Sequence, residues 1–255
     1  MSKKNGRQNK QFPMEDLEEL EELELMLNMN NRVEQKLFNL IKVNIKHKTS
    51  NQKKLTDSIK KNEITICNGL PGTGKTFLAC AEALKLLKNT QKYKRVVLIK
   101  SVTTLKNEEI GFLKGDMDEK MEPYMDSFMD NFRKLIGKTR TNKLKELGLL
   151  EILPIAFARG RSIDNSVIII DECQNISMEN IRTLMTRIGG NSKMVILGDV
   201  KQKDIKNKKE SSLEIIIDKF KNIGGFGTIS LTDPNDVVRN PIIKIIEEVF
   251  DELEN

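Results

Sequence analysis

Gly69-Leu-Pro-Gly-Thr-Gly-Lys-Thr76 meets every fixed position of a G-x-x-x-x-G-K-[ST] phosphate loop. Such a loop functions only between a strand and a helix, so it constrains the whole chain. Both flanks fit: Glu63 to Cys67 is a short β-branched run, and Phe77 to Lys88 is a good helix former. Strand, glycine loop and helix in that order form a nucleoside-triphosphate cradle. The glycines keep Cβ atoms away, so backbone N–H groups can close around phosphate oxygens, and the helix adds its positive end. Gly69, Leu70, Pro71, Gly72, Thr73, Gly74, Lys75, Thr76 and Phe77 would line that cradle. Lys75 is expected to reach the outer phosphates, and Thr76 Oγ1 to bind Mg²⁺.

A second apolar run, Val167 to Ile170, predicts a strand buried on both faces, and it delivers Asp171 and Glu172 at its end. Ligands of open α/β sheets bind at the carboxyl ends of strands. Asp171 would hold Mg²⁺ through water, and Glu172 would orient and deprotonate an attacking water. Gly198-Asp199-Val-Lys-Gln202 follows the next strand, where Gln202 suits a sensor of hydrolysis; an ordinary Gly-Asp turn is the bland alternative. An arginine near the γ-phosphoryl oxygens is worth about 10³-fold or more. Arg239, Arg187, Arg159 and Arg161 are candidates, each with a structural or polyanion-binding alternative. Gln52, 17 positions before Gly69, could read N6 and N7 of adenine, although exposed glutamines are common.

The remaining pattern alternates strands with helices. Strands are expected at 95–99, 150–155, 194–197 and 228–231, and helices at 177–188, 211–220 and from Pro241 onward. Residues 105–148 form a long, mostly helical insertion carrying Glu109-Ile-Gly-Phe-Leu-Lys-Gly-Asp116. This predicts an α/β fold with a mostly parallel sheet and helices on both faces. Residues 1–12 read as a disordered basic tail, 13–48 as a helical extension that turns from acidic to basic, and 49–255 as the ATPase domain.

Charge is unevenly spread over a chain of net charge +6. Residues 15–24 hold seven carboxylates and no base, 42–61 seven lysines against Asp57, and 133–145 six bases and no acid. The basic runs suit a polyanionic partner, or a solvated face. No stretch reaches the ~18 apolar residues of a membrane helix, and no signal peptide precedes the basic start, so a cytoplasmic protein is expected. Cys67, Cys80 and Cys173 lack metal spacing and read as buried, reduced thiols. His47 sits among lysines and is expected to face solvent.

Taken in order, the motifs resemble those of the PhoH family of ATPases, in a compact, phage-type form. They are the phosphate loop, Gly111-Phe-Leu-Lys-Gly-Asp116, Glu119-Lys120 with Pro123-Tyr124, Arg159-Gly-Arg161, Asp171-Glu-Cys-Gln-Asn175, Leu184 to Gly189, Gly198-Asp199 with Gln202, and Asp236-Val-Val-Arg239. The likeness covers about residues 49–250. It implies a RecA-like P-loop domain akin to superfamily 1 helicases, ATP binding and hydrolysis, a ring-like homo-oligomer with a hexamer favoured, and RNA metabolism linked to phosphate starvation. It also implies adenine reading by Gln52 and makes Arg239 the first choice for the γ-phosphate arginine, in its own chain or a neighbour's. Two departures stand out: Lys100-Ser101 where the family often has Arg-Pro, and Cys173 in place of an alanine.

Three functions share the loop. One is an oligomeric ATPase acting on RNA or single-stranded nucleic acid, with possible helicase activity; the absence of Trp and 5% aromatic content count against base stacking. Another is a nucleotide-dependent switch acting on a protein partner. A small-molecule kinase is the third, and it has no use for Gln202 or Arg239.

Overall fold

The computed structural model describes residues 26, 29–100, 117–202, 211–239, 242 and 249; over 117–127 it describes the backbone and the Asp126 side chain. The 1–12 tail, the 15–24 acidic run, the Glu109–Asp116 motif, the side chains of Glu119, Lys120, Pro123 and Tyr124, the lysines of 203–209 and most of the last helix lie outside the described residues. The chain divides into two units, 1–41 and 42–255. In the first, 29–40 is helical and Met29, Val33 and Leu40 are exposed along it.

The second unit is built on six strands: β1 (Ile64–Gly69), β2 (Arg95–Lys100), β3 (Leu150–Ile152), β4 (Ser166–Asp171), β5 (Lys193–Gly198) and β6 (Phe226–Leu231). All pair in parallel, in the order β3-β2-β4-β5-β1-β6. β4 and β5 are buried along their whole length, as their unbroken apolar runs demand. The chain returns between strands through helices: α1 (Ser50–Lys61) before β1, α2 (Lys75–Asn89), α3 (Met117–Ile136), α4 (Lys138–Glu146), α5 (Ile155–Ala158), α6 (Met178–Met185) and α7 (Ser212–Phe220).

Alternation along each strand sorts the core into two layers. Ile64, Ile66, Val97, Ile99, Ile168, Ile170, Met194 and Ile196 join Ile181 and Leu184 of α6 and Leu213 and Ile216 of α7 in one apolar cluster. The opposite face is covered by α1 to α4, with α1 against β1 and β6, and α2 against β2, β4 and β5. Helices thus cover both faces of an all-parallel sheet, as the alternating pattern predicts. Side chains cap three of these helices: Thr49 Oγ1 accepts from Gln52 N, Ser177 from Asn180 N, and Ser211 closes a reciprocal box with Glu214.

Three expectations shift. The strand expected over 150–155 ends at Ile152, because Pro154 caps a helical turn over Ile155–Ala158. The helix from Ser177 ends at Met185, because 186–190 turns to form a bridge between Ile188 and Ile163. His47 is half-buried, not solvent-facing, with its Nε2 2.9 Å from Thr56 Oγ1. Lys193 is buried at the start of β5, where its Nζ donates to the carbonyls of Asn62 and Lys60 and caps the end of α1. Burial lowers its pKa, and Lys92 adds to the effect.

Candidate functional site

The strand order puts β5 between β4 and β1. In a parallel sheet all carboxyl ends lie on one edge, so Gly69, Asp171 and Asp199 arrive side by side. The phosphate loop leaves β1 at Gly69, whose added Cβ would lie 2.8 Å from Leu231 Cβ, so only glycine lets β6 approach there. Gly72 and Gly74 take φ of 79° and 81°, the left-handed region that turns successive N–H groups inward. Gly74 caps the 15-residue helix α2. Lys75 Nζ donates to the carbonyls of Gly69 at 2.7 Å and Leu70 at 3.2 Å, so its charge lies across the loop. Phe77 is half-buried in the first turn of α2.

Thr76 Oγ1 donates to Asp171 Oδ2 at 2.9 Å, and Asp171 Oδ1 accepts the Glu172 N–H at 3.0 Å. Burial pushes the Asp171 carboxyl up from the usual carboxylate range, and the Glu172 charge adds to this; Thr76, the Glu172 amide and Lys75 pull the other way. Such a carboxylate gains from a cation. Among the described residues no group of three or more His, Cys, Asp or Glu converges as a metal cage. A threonine hydroxyl 2.9 Å from a carboxylate oxygen is an all-oxygen donor set of the kind that suits Mg²⁺ completed by phosphate oxygens and water.

Glu172 sits at φ 55°, ψ 40°, turned off the strand's extended path, and is half-buried. Its Oε2 accepts from Gln174 Nε2 at 2.7 Å. Asp199 is 2% exposed, and its Oδ2 has no hydrogen-bond partner among the described residues. Burial raises its pKa, against the Lys201 amide and the Lys75 charge. Gln202 is exposed, with its N–H donating to Asp199 O at 3.2 Å.

Gln52 is buried beneath the loop: Nε2 donates to Thr73 O at 2.9 Å and Oε1 accepts from Lys48 N at 2.7 Å. A primary amide has two N–H groups and two acceptor lone pairs, so one of each remains. Arg239 lies against the loop of its own chain. A Cβ on Gly72 would stand 3.0 Å from Arg239 Cδ, and Val238 N donates to Gly72 O at 3.1 Å. Asp236, in the same stretch, accepts from Asn51 Nδ2 at 2.8 Å.

The other arginines are elsewhere. Arg187 belongs to the turn feeding the amino end of β5, opposite the phosphate loop, and its carbonyl accepts from Ile163 N. Arg159 donates to Asn180 Oδ1 at 3.0 Å, and Arg161 lies 3.9 Å from Glu151. The sequence reading overlooked Gln174 and the Asp199 carboxylate. Both stand inside motifs already singled out, but nothing in the motifs says that a side chain of one reaches the backbone of the other.

The family model described as PhoH-like protein matches residues 44–251. A PhoH-like protein of Bacillus subtilis (strain 168) is 37% identical over 207 residues, which cover 81% of this chain and 64% of that protein. A PhoH-like protein of Synechocystis sp. is 34% identical over 211 residues, covering 83% and 63%. The chain thus spans less than two thirds of the length of these relatives. Among solved structures, the large terminase from a thermophilic bacteriophage aligns with a TM-score of 0.49 and 9% identity, over 78% of this chain and 49% of that one.

Proposed function

The chain belongs to the PhoH family, and from that premise we propose that it binds ATP with Mg²⁺ and hydrolyses the γ-phosphoryl bond, acting as an oligomer on RNA or single-stranded nucleic acid. The observation that carries the ATPase reading is the meeting of Lys75, Thr76, Asp171, Glu172 and Asp199 on one sheet edge, with Thr76 hydrogen-bonded to Asp171 at 2.9 Å.

Each residue then has a task its position supports. Loop amides from Gly72 to Phe77 hold the β- and γ-phosphates, and Lys75 exchanges two carbonyls for phosphate oxygens. Thr76 and Asp171 would hold Mg²⁺, which would supply positive charge to the phosphate tail. Glu172 takes a proton from the water that attacks Pγ; the Pγ–O bond to ADP breaks, its electron pair leaves with ADP, and inorganic phosphate is released. Gln202 senses that release. Gln52 offers its spare N–H to adenine N7 and its spare lone pair to the N6 amine. Arg239, stacked along Gly72, serves the nucleotide of its own chain.

The nucleic-acid partner is supported by the basic runs over 42–61 and 133–145 and by phosphate neutralisation as the general source of such affinity. The decisive assay is phosphate release with and without single-stranded RNA at low salt. Turnover lost in Lys75→Ala and stimulated by RNA supports both halves of the proposal. No ATP binding removes the first, and unstimulated turnover without RNA binding removes the second.

A further inference from the structure

Gln174 lies in the 3₁₀ turn Cys173–Asn175 and is 1% exposed. Its Nε2 donates to Glu172 Oε2 at 2.7 Å, and its Oε1 accepts the Asp199 N–H at 3.1 Å. One planar amide therefore spans from the first residue beyond β4 to the first residue beyond β5. The space is shaped for it: a Cβ on Gly198 would lie 2.6 Å from Gln174 Oε1. Beyond that point the loop is fastened to itself and to β1. Asp199 Oδ1 accepts from Lys201 N at 3.0 Å, Asp199 O from Gln202 N, and Asn68 Oδ1 from Val200 N at 3.1 Å.

Glu172 needs an external hold. Its backbone has left the strand, and a half-buried glutamate has three side-chain torsions to fix. A reacting group displaced by about 1 Å can lose 10²-fold in rate.

We infer that Gln174 is a positioning residue, whose amide aims the Glu172 carboxylate and keeps it in step with the Gly198–Gln202 loop. The inference rests on the ATPase reading above. The donor half of the amide sets the base; the acceptor half ties it to the segment carrying the γ-phosphate sensor. A shift of Asp199 when that loop engages nucleotide moves the amide, and with it the carboxylate.

The test uses the full chain in single-turnover ATP hydrolysis, with affinity measured separately by a fluorescent ATP analogue. Wild type must turn over ATP; if it does not, the ATPase reading fails before Gln174 is at issue. Gln174→Met removes both hydrogen bonds at similar volume. It should lower the hydrolysis rate about tenfold or more and leave analogue affinity within about twofold. Gln174→Glu keeps an acceptor for the Asp199 N–H but cannot donate to Glu172, so it should be at least as slow, and it keeps the test open if the methionine variant does not fold. In a Glu172→Ala background, Gln174→Met should cost nothing further, because the amide acts through the missing carboxylate. Wild-type rates in both variants, or an equal further loss in the Glu172→Ala background, would overturn the assignment.

Discussion

Glu172 and Lys75 separate chemistry from binding. Glu172→Gln removes the proposed base but leaves the cradle, so kcat should fall by about 10²-fold or more while ATP affinity changes little. Lys75→Ala removes the ammonium that crosses the loop, and affinity itself should drop. The three thiols make a different kind of prediction. Burial pushes Cys67 and Cys173 up to about 12, and Cys80 well above its ordinary value. The folded chain should therefore resist alkylation at about pH 8 and react at all three thiols in urea. The sign for stability follows: the folded pKa lies above the unfolded 9.0, so this contribution is whole below pH 9.0 and is lost as pH rises toward about 12. Urea midpoints at about pH 8 and about pH 10.5 should differ, and differ less in a Cys67→Ala, Cys173→Ala variant.

At the scale of elements, the site is made by turns at strand ends, and two glycines set them. Gly72→Ala combines a left-handed φ with a Cβ 3.0 Å from the Arg239 stem, so it should weaken ATP binding through both the loop and the arginine. Gly198→Ala would place its Cβ 2.6 Å from Gln174 Oε1 and 2.7 Å from Leu213 Cδ2. That overpacking should cost roughly 1–3 kcal/mol in denaturant unfolding and slow hydrolysis as well, because the amide that holds Glu172 must yield. The run Asp171 to Asn175 announced a catalytic pair in the sequence. Its fourth residue stayed silent, since a buried glutamine gives no pattern of its own and the N–H that its Oε1 accepts lies 25 positions away in Asp199.

Across the whole molecule, Arg239 asks whether a site belongs to one chain or two. Its stem lies along Gly72 of the same chain, so mixing Arg239→Ala subunits with Glu172→Gln subunits should not restore turnover; recovery would place the arginine in a neighbour's site. The sequence by itself determined the phosphate loop, the buried parallel strands and the Asp-Glu pair, because each depends on neighbours within a few residues. It also led to the buried state of the cysteines. Tertiary structure alone decided that β5 lies between β4 and β1, that Arg187 falls at the far end of the sheet, that His47 leans on Thr56, and that Gln52 and Arg239 meet the loop from opposite termini of the domain. Those contacts run from His47 and Thr56, 9 positions apart, through Gln52 and Thr73, 21 apart, to Gly72 and Arg239 at nearly opposite ends of the domain, and what fixes them is how the two faces of the sheet are covered, a property that no local pattern of side chains encodes.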